Sequence, residues 1–134
     1  MSAMYDLQLP EGSWRDWDVT SCSDGELRLA AGTDLSRDHG LELVFQEAVY
    51  VACPSLFHTP VFRPPTAFEC ELVRQSVGRE VPVLVAFDIA DAERGKLPCL
   101  IGAERVEVRQ GTVFRYHRTD LKPGERLADW LRAA

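Results

Sequence analysis

Between Val81 and Ile89 the chain reads VPVLVAFDI, apolar on both faces and interrupted only by Pro82 and Asp88. A strand sends successive side chains to opposite faces, so a strand this apolar needs a covering layer on each side. That demand limits the fold more tightly than any other feature of the sequence. It asks for a central strand inside a layered domain, and a chain of 134 residues is the right size for one such domain spanning 1–134. Hydrophobic residues make up 46% of the chain, which is enough for an ordinary core.

The segments around this strand are also β-like. WDVTSCSDGELRLAA carries Asp24-Gly25 between two strand-compatible runs, and Asp-Gly suits a two-residue hairpin turn. That register sets Cys22 opposite Leu27 and Thr20 opposite Leu29. GLELVF and AVYVAC read as a second strand pair, with Leu41, Leu43 and Phe45 on one face and Val49, Val51 and Cys53 on one face of the next. Gln46-Glu47 is poor chemistry for a tight turn, so the loop between them is expected to be longer. ECELVRQ reads as a strand of mixed polarity near an edge, its Glu69 and Glu71 on a wet face. RVEVRQGTVFRYHR reads as a hairpin turning at Gln110-Gly111. The terminal KPGERLADWLRAA reads as a helix from Pro123, with Leu127, Trp130 and Leu131 as its apolar stripe. The fold class that follows is mainly β (α+β): an antiparallel β-sandwich or strongly curved sheet of about eight strands with one C-terminal α-helix.

Charge and cysteine content narrow the function. The formal net charge is −6, with 21 acidic against 15 basic residues. That argues against nucleic-acid binding, which draws its affinity from Lys and Arg on phosphates. It permits a basic protein partner. No run approaches the length of a membrane span, and MSAMYDLQLP lacks the pattern of a secretory signal, so a cytoplasmic location is expected and membrane binding is not. Cys22, Cys53, Cys70 and Cys99 are widely spaced with no C-x-x-C pair, so free buried thiols are expected.

Chemistry-bearing residues are scattered. Cys53 and His58 could form a nucleophile and base, but Cys53 shares its face with two valines and no local signature surrounds it. His39, His58 and His117 lie far apart in sequence, so no metal ion or other cofactor is expected. The one set that folding could gather is Asp16, Asp18 and Asp88 with a histidine. Asp88 interrupts the most apolar strand. It faces a cavity with a partner, or it lies at the strand end against solvent. Phosphate-binding loops and nucleophile elbows are missing from the sequence. In VFRYHR, Phe114 and Tyr116 alternate with Arg115 and His117, the pattern of core inward and charge outward.

CPSLFHTPVFRPP is punctuated by four prolines. Proline lacks a donor and pushes its predecessor toward extended backbone, so the segment reads as a rigid crossing that leaves the hairpin. Leu56, Phe57, Val61 and Phe62 tuck it down, while His58 and Arg63 project outward. A rigid rim of this kind loses little entropy on association, and it serves equally as a wall of the sandwich.

The opening SWRDWDVTSCSDGELRLAAG, with GLELVFQEAVYV, resembles small bacterial β-rich proteins related to immunity proteins of polymorphic-toxin systems. Trp14, Asp16, Asp18 and Val19 match the opening of that pattern, and Leu43, Phe45 and Val49 its ladder. Arg15 stands where those proteins usually carry histidine. The resemblance implies a cytoplasmic, non-enzymatic protein that binds and blocks a cognate toxin, and it transfers no site residue.

The leading expectation is therefore a non-catalytic protein-binding module with an acidic surface, whose binding face includes Asp16, Asp18, His58 and Arg63. The alternative is a small-molecule-binding protein or small enzyme with a cavity between its sheets, using Asp88 with His58 or His117. Self-association as a homodimer is expected where an exposed strand edge lies on a two-fold axis.

Overall fold

The computed structural model describes residues 7–132. Within them the chain forms strands β1 (Asp16–Ser23), β2 (Glu26–Gly32), β3 (Asp38–Gln46), β4 (Tyr50–Ala52), β5 (Leu56–His58) and β6 (Val61–Arg63), then helix α1 (Ala67–Val77). Strands β7 (Val83–Asp91), β8 (Gly95–Ala103), β9 (Arg105–Phe114) and β10 (Arg126–Leu127) and helix α2 (Asp129–Arg132) follow. A six-stranded sheet runs β10-β9-β3-β2-β1-β5 and a four-stranded sheet runs β4-β8-β7-β6. The pairings are antiparallel except that β10 lies parallel to β9.

The two sheets stack as a sandwich. Trp17, Leu27, Leu29, Leu41, Leu43 and Phe45 from the larger sheet share one core with Val83, Val85, Phe87, Ile89 and Ile101 from the smaller. The opposite face of β7 presents Leu84 and Ala86, which pack with Leu100 against Val73 and Val77 of α1. The two-sided apolarity of Val81–Ile89 is thus met by a sheet on one side and a helix on the other.

The β1–β2 hairpin turns at Asp24 and Gly25, both at positive φ (54° and 78°). Cys22 lies opposite Leu27, but a register shift between Val19 and Ser21 sets Val19, not Thr20, opposite Leu29. GLELVF and AVYVAC do not pair with each other. Glu47 takes a φ of 51°, and the chain crosses to the other sheet, where β4 pairs with β8. Val49 and Val51 are exposed there rather than buried, because β4 is an edge strand.

ECELVRQ is the largest correction, since it lies in α1 and not in a strand. Thr66 caps the helix by accepting from the Glu69 N–H at 3.1 Å, and the Glu69 carboxylate accepts from the Thr66 N–H at 2.9 Å. This reciprocal capping box starts a helix that Gly78, at φ 92°, ends. Glu69 is buried at the cap while Glu71 is exposed.

RVEVRQGTVF is likewise one continuous strand, not a hairpin. Gly111, at φ 153°, sits in an irregularity where the register against β3 shifts by one residue. GKLPCLIGA, with no strand expected, is β8, and the preceding Ala92–Arg94 turn joins it to β7. The terminal helix is shorter than expected: Leu127 belongs to β10, α2 begins at Asp129, and Trp130 is 46% exposed. Among the described residues no helix is long and apolar enough to cross a membrane.

Candidate functional site

The proline-rich segment crosses between the sheets. Its first strand, β5, pairs with β1 at the edge of the larger sheet, and its second, β6, pairs with β7 at the edge of the smaller one. Thr59, at φ 49°, makes the corner between them and donates its N–H to the Arg15 carbonyl at 2.7 Å. Three-residue edge strands bounded by prolines need few ladder donors, so proline is tolerated there. Phe57 stacks on Trp17 and Phe87, with ring centroids 5.9 and 5.1 Å apart, and Phe62 lies against the same two rings at 5.5 and 5.1 Å. These aromatic rings close one edge of the sandwich. Leu56 and Val61, expected to tuck inward, instead face solvent.

The sequence-predicted site residues separate into three groups. Asp16 and His58 face each other across the β1–β5 ladder, with Nδ1 to Oδ1 at 3.0 Å on an exposed surface. Asp18, two residues along the same strand face, belongs to another cluster, where both its oxygens accept from Arg115 at 2.8 and 2.9 Å. Arg63 does not project outward. It donates to Glu69 at 2.7 and 2.8 Å and to Asp88 at 3.0 and 3.1 Å, clamping β6, β7 and the first turn of α1 together. Hydrogen bonding to Arg63 holds the Glu69 carboxyl below its ordinary value, and partial burial works against this.

Asp88 is therefore neither at a strand end nor a free base. It sits mid-strand with its carboxylate occupied by Arg63, beside a depression of about 190 Å³ lined by Thr59, Val61, Ile89, Ala90, Gly95 and Lys96. Ligand pockets for small molecules are commonly larger, from about 300 Å³ upward. His117 is exposed beyond the end of β9, in the other sheet, and His58 is bonded to Asp16. The expected pairing of Asp88 with a histidine is replaced by the Arg63 clamp.

A second polar cluster lies on the outer face of the larger sheet, under the C-terminal segment. Sequence reasoning did not find it. His39 and Glu42 are both buried, with Nε2 and Oε2 2.8 Å apart. Arg115 Nε donates to His39 Nδ1 at 3.0 Å. A guanidinium can only donate, so Nδ1 accepts and the ring proton sits on Nε2, facing Glu42. Burial pushes the Glu42 carboxyl up. The His39 hydrogen bond and the charge of Arg126, which also bonds it, outweigh that effect and hold it at about 2. Residues three apart fall on opposite faces of a regular strand. The irregularity between His39 and Leu41 allows His39 to meet Glu42, and no residue pattern announces it.

Both His39 nitrogens are in use and its side chain is buried, so the pair positions the C-terminal segment rather than offering a base. The adjoining cleft, lined by Thr20, Arg28, Arg126 and Trp130 among others, has a volume of about 50 Å³, room for one or two waters. Arg28 Nε, at this cluster, is the one buried side-chain nitrogen or oxygen without a hydrogen-bond partner among the described residues.

The thiols are free: Cys99 is buried, Cys53 and Cys70 are partly buried, and Cys22 is exposed, contrary to expectation. Burial pushes the Cys53 thiol up to about 11, so at neutral pH it is a thiol and not a nucleophilic thiolate. Asp16 and Asp18 lie in one sheet and Asp88 in the other, and among the described residues no three His, Cys, Asp or Glu side chains gather as metal ligands would. Compared with known proteins, the chain matches no family model, no curated protein and no solved structure, so its function is argued from its own geometry.

Proposed function

We propose that this chain is a non-catalytic, cytoplasmic protein-binding module that takes a basic partner on the sandwich edge formed by β5, β6 and the start of α1. The supporting observation is the run of unburied apolar side chains along consecutive elements: Leu56 on β5, Val61 on β6 at 62% exposure and Phe68 on α1 at 76%. Single exposed apolar residues are ordinary, whereas three of them on successive elements along one rigid edge supply apolar anchors of the kind an interface uses. The Arg63 clamp and the aromatic rings beneath fix this edge in place, so little ordering entropy is lost on association.

Asp16 lies beside β5, bonded to His58, and Glu71 lies on the exposed face of α1, paired with Arg74. The net charge of −6 favours a basic partner and speeds its encounter. The depression beside Val61 and Asp88 is the size of one inserted side chain. An immunity-type role, blocking a basic toxin, is the specific form of this function that the sequence resemblance favours.

The test is capture from lysate of the source organism at low and high salt, using wild type, Leu56→Asp, Phe68→Asp and Val51→Asp. The expected result is a basic protein that is retained at low salt, weakened by high salt and lost with the first two variants. Val51→Asp, at the opposite edge of the smaller sheet, should retain it. A captured protein indifferent to Leu56→Asp and Phe68→Asp would refute the assignment of this edge.

A further inference from the structure

The far edge of the larger sheet shows a different pattern. Strand β9 is 10 residues long and pairs with β3 along its length. On its other side its one strand partner among the described residues is β10, at Val113 and Phe114. Arg105–Gln110 therefore present an open edge, longer than the three-residue edges of β4, β5 and β6. Open edges of this length are templates for another strand, and proteins that avoid pairing commonly guard them with like charges, lysine especially.

The charges on β9 alternate instead: Arg105, Glu107 and Arg109 share one face, and Glu107 already bonds Arg109 at 3.0 Å on the exposed surface. Val106 and Val108 share the other face, in register with the buried Phe45 and Leu43. Val108 is nevertheless 37% exposed, because the smaller sheet has four strands against six and leaves part of this face uncovered.

We propose that a second copy of this chain pairs with this edge, β9 against β9 in antiparallel sense about a two-fold axis through Val108. This register makes the strand self-complementary. Val108 meets its own copy, Glu107 faces Arg109 of the other chain, and Arg109 faces Glu107, giving two symmetric ion pairs across the new ladder. An axis through Glu107 would set Glu107 against itself and Arg105 against Arg109. An axis through Val106 would also match Arg105 with Glu107, but Val106 packs against the core and β9 begins at Arg105, so that register pairs three residues of the strand. Charge together with the exposed Val108 and the longer span favours the axis at Val108. Strand β10 caps β9 at 113 and 114, beyond the span this pairing needs. The two larger sheets become one continuous sheet. The Val108 pair then lies on the side where Val51, in register with buried Ile101 yet 43% exposed, borders the smaller sheet. The β5–β6 edge lies at the other end of the sheet and stays free in both copies.

The experiment is sedimentation equilibrium of the full chain over a concentration series, with amide hydrogen exchange read at Arg105–Gln110. Wild type should be a dimer whose exchange in this stretch slows as concentration rises. Glu107→Arg turns both ion pairs into repulsions and should weaken the dimer about tenfold or more. The double swap Glu107→Arg with Arg109→Glu restores opposite charges and should recover the dimer to within about threefold of wild type. Val108→Asp sets two carboxylates on the axis and should give monomer, with circular dichroism confirming the fold. A monomeric wild type at the highest soluble concentration would overturn the proposal. So would a dimer that Glu107→Arg leaves unchanged, or one that the double swap fails to restore.

Discussion

Replacing Arg63 by alanine should be among the most damaging single changes to the fold, and its cost should depend on pH in a defined direction. The guanidinium holds two carboxylates through hydrogen bonds of 2.7 to 3.1 Å. Arg63, Glu69 and Asp88 side chains are 25%, 10% and 16% exposed, so solvent screens the group only in part. Removing one partner of a buried pair costs about 3–5 kcal/mol, chiefly by leaving charge uncompensated, and the partial exposure of Arg63 argues for the lower end, ~3 kcal/mol. For a domain of this size that is a fall in unfolding midpoint of roughly 10 °C at pH 7. Glu69 titrates below its ordinary 4.5 in the folded protein because of Arg63. A depressed folded pKa gives stability that is present above the unfolded value and lost as pH falls. Wild type should therefore lose stability as pH drops below about 4.5, while Arg63→Ala, with its carboxyls relieved of mutual repulsion on protonation, should lose less. The gap between the two narrows toward acid. Arg63→Lys should recover less than half of the loss, because an ammonium cannot serve two carboxylates bidentately. The assay is thermal unfolding by circular dichroism from pH 7 to pH 3. A midpoint for Arg63→Ala within about 2 °C of wild type, or a gap constant with pH, would refute the clamp.

Two further predictions concern the core and the C-terminal segment. Trp17, fully buried and packed on Phe57 and Phe62, should cost about 3–5 kcal/mol on truncation to alanine, whereas Trp130→Ala should cost under about 1.5 kcal/mol. The latter side chain is half exposed, with Arg115 over its ring at 5.5 Å, and urea unfolding of the two variants ranks them. Glu42 falls from an ordinary 4.5 to about 2 on folding, so it contributes ~3 kcal/mol above pH 4.5 that is lost as pH falls toward 2. Glu42→Gln should be destabilised at pH 7 and show a flatter stability profile below pH 4.5, and equal acid profiles for the two proteins would contradict the His39–Glu42–Arg126 arrangement.

The parts of the fold legible in the sequence were those governed by local periodicity. Val81–Ile89 read as a doubly covered strand and the strand observed is Val83–Asp91, and Asp24-Gly25 read as the tight turn it forms. The failures have physical causes. ECELVRQ has strand-like alternation, but Pro65-Thr66 followed by Glu69 supplies a proline-flanked capping box, and two satisfied donors at the first turn outweigh a weak period. Gln110-Gly111 was readable as a turn, and only the resumption of β3–β9 pairing on both sides of the register shift makes it a bulge. The C-terminal stripe Leu127, Trp130, Leu131 was an accident of spacing, since Leu127 pairs with Phe114 in a strand. At the candidate site, the Asp16–His58 contact needs the crossing segment to return to β1, and the Arg63 clamp joins three elements. Contacts made by topology leave no periodic trace.

The two polar clusters also bear on how the surface is charged. Asp18, Glu42 and Asp129 are matched by Arg115, Arg126 and Arg28 on the outer face of the larger sheet, and Arg63 offsets one of its two carboxylates. These clusters are nearly neutral, so most of the net −6 belongs to exposed side chains. Two copies of such a body repel at long range, and apolar contact between Val108 side chains alone would meet that field unaided. The alternating charges of β9 change the balance, because an antiparallel pairing centred on a valine brings opposite charges face to face, and only at close range. The basic partner proposed for the β5–β6 edge would be attracted, within the reach of salt screening, by the same surface charge that opposes casual self-association. A single surface charge can thus favour one partner by attraction and limit another to close, charge-matched pairing, and β5 and β9, far apart in the strand order of the larger sheet, are where those two demands can be met without conflict.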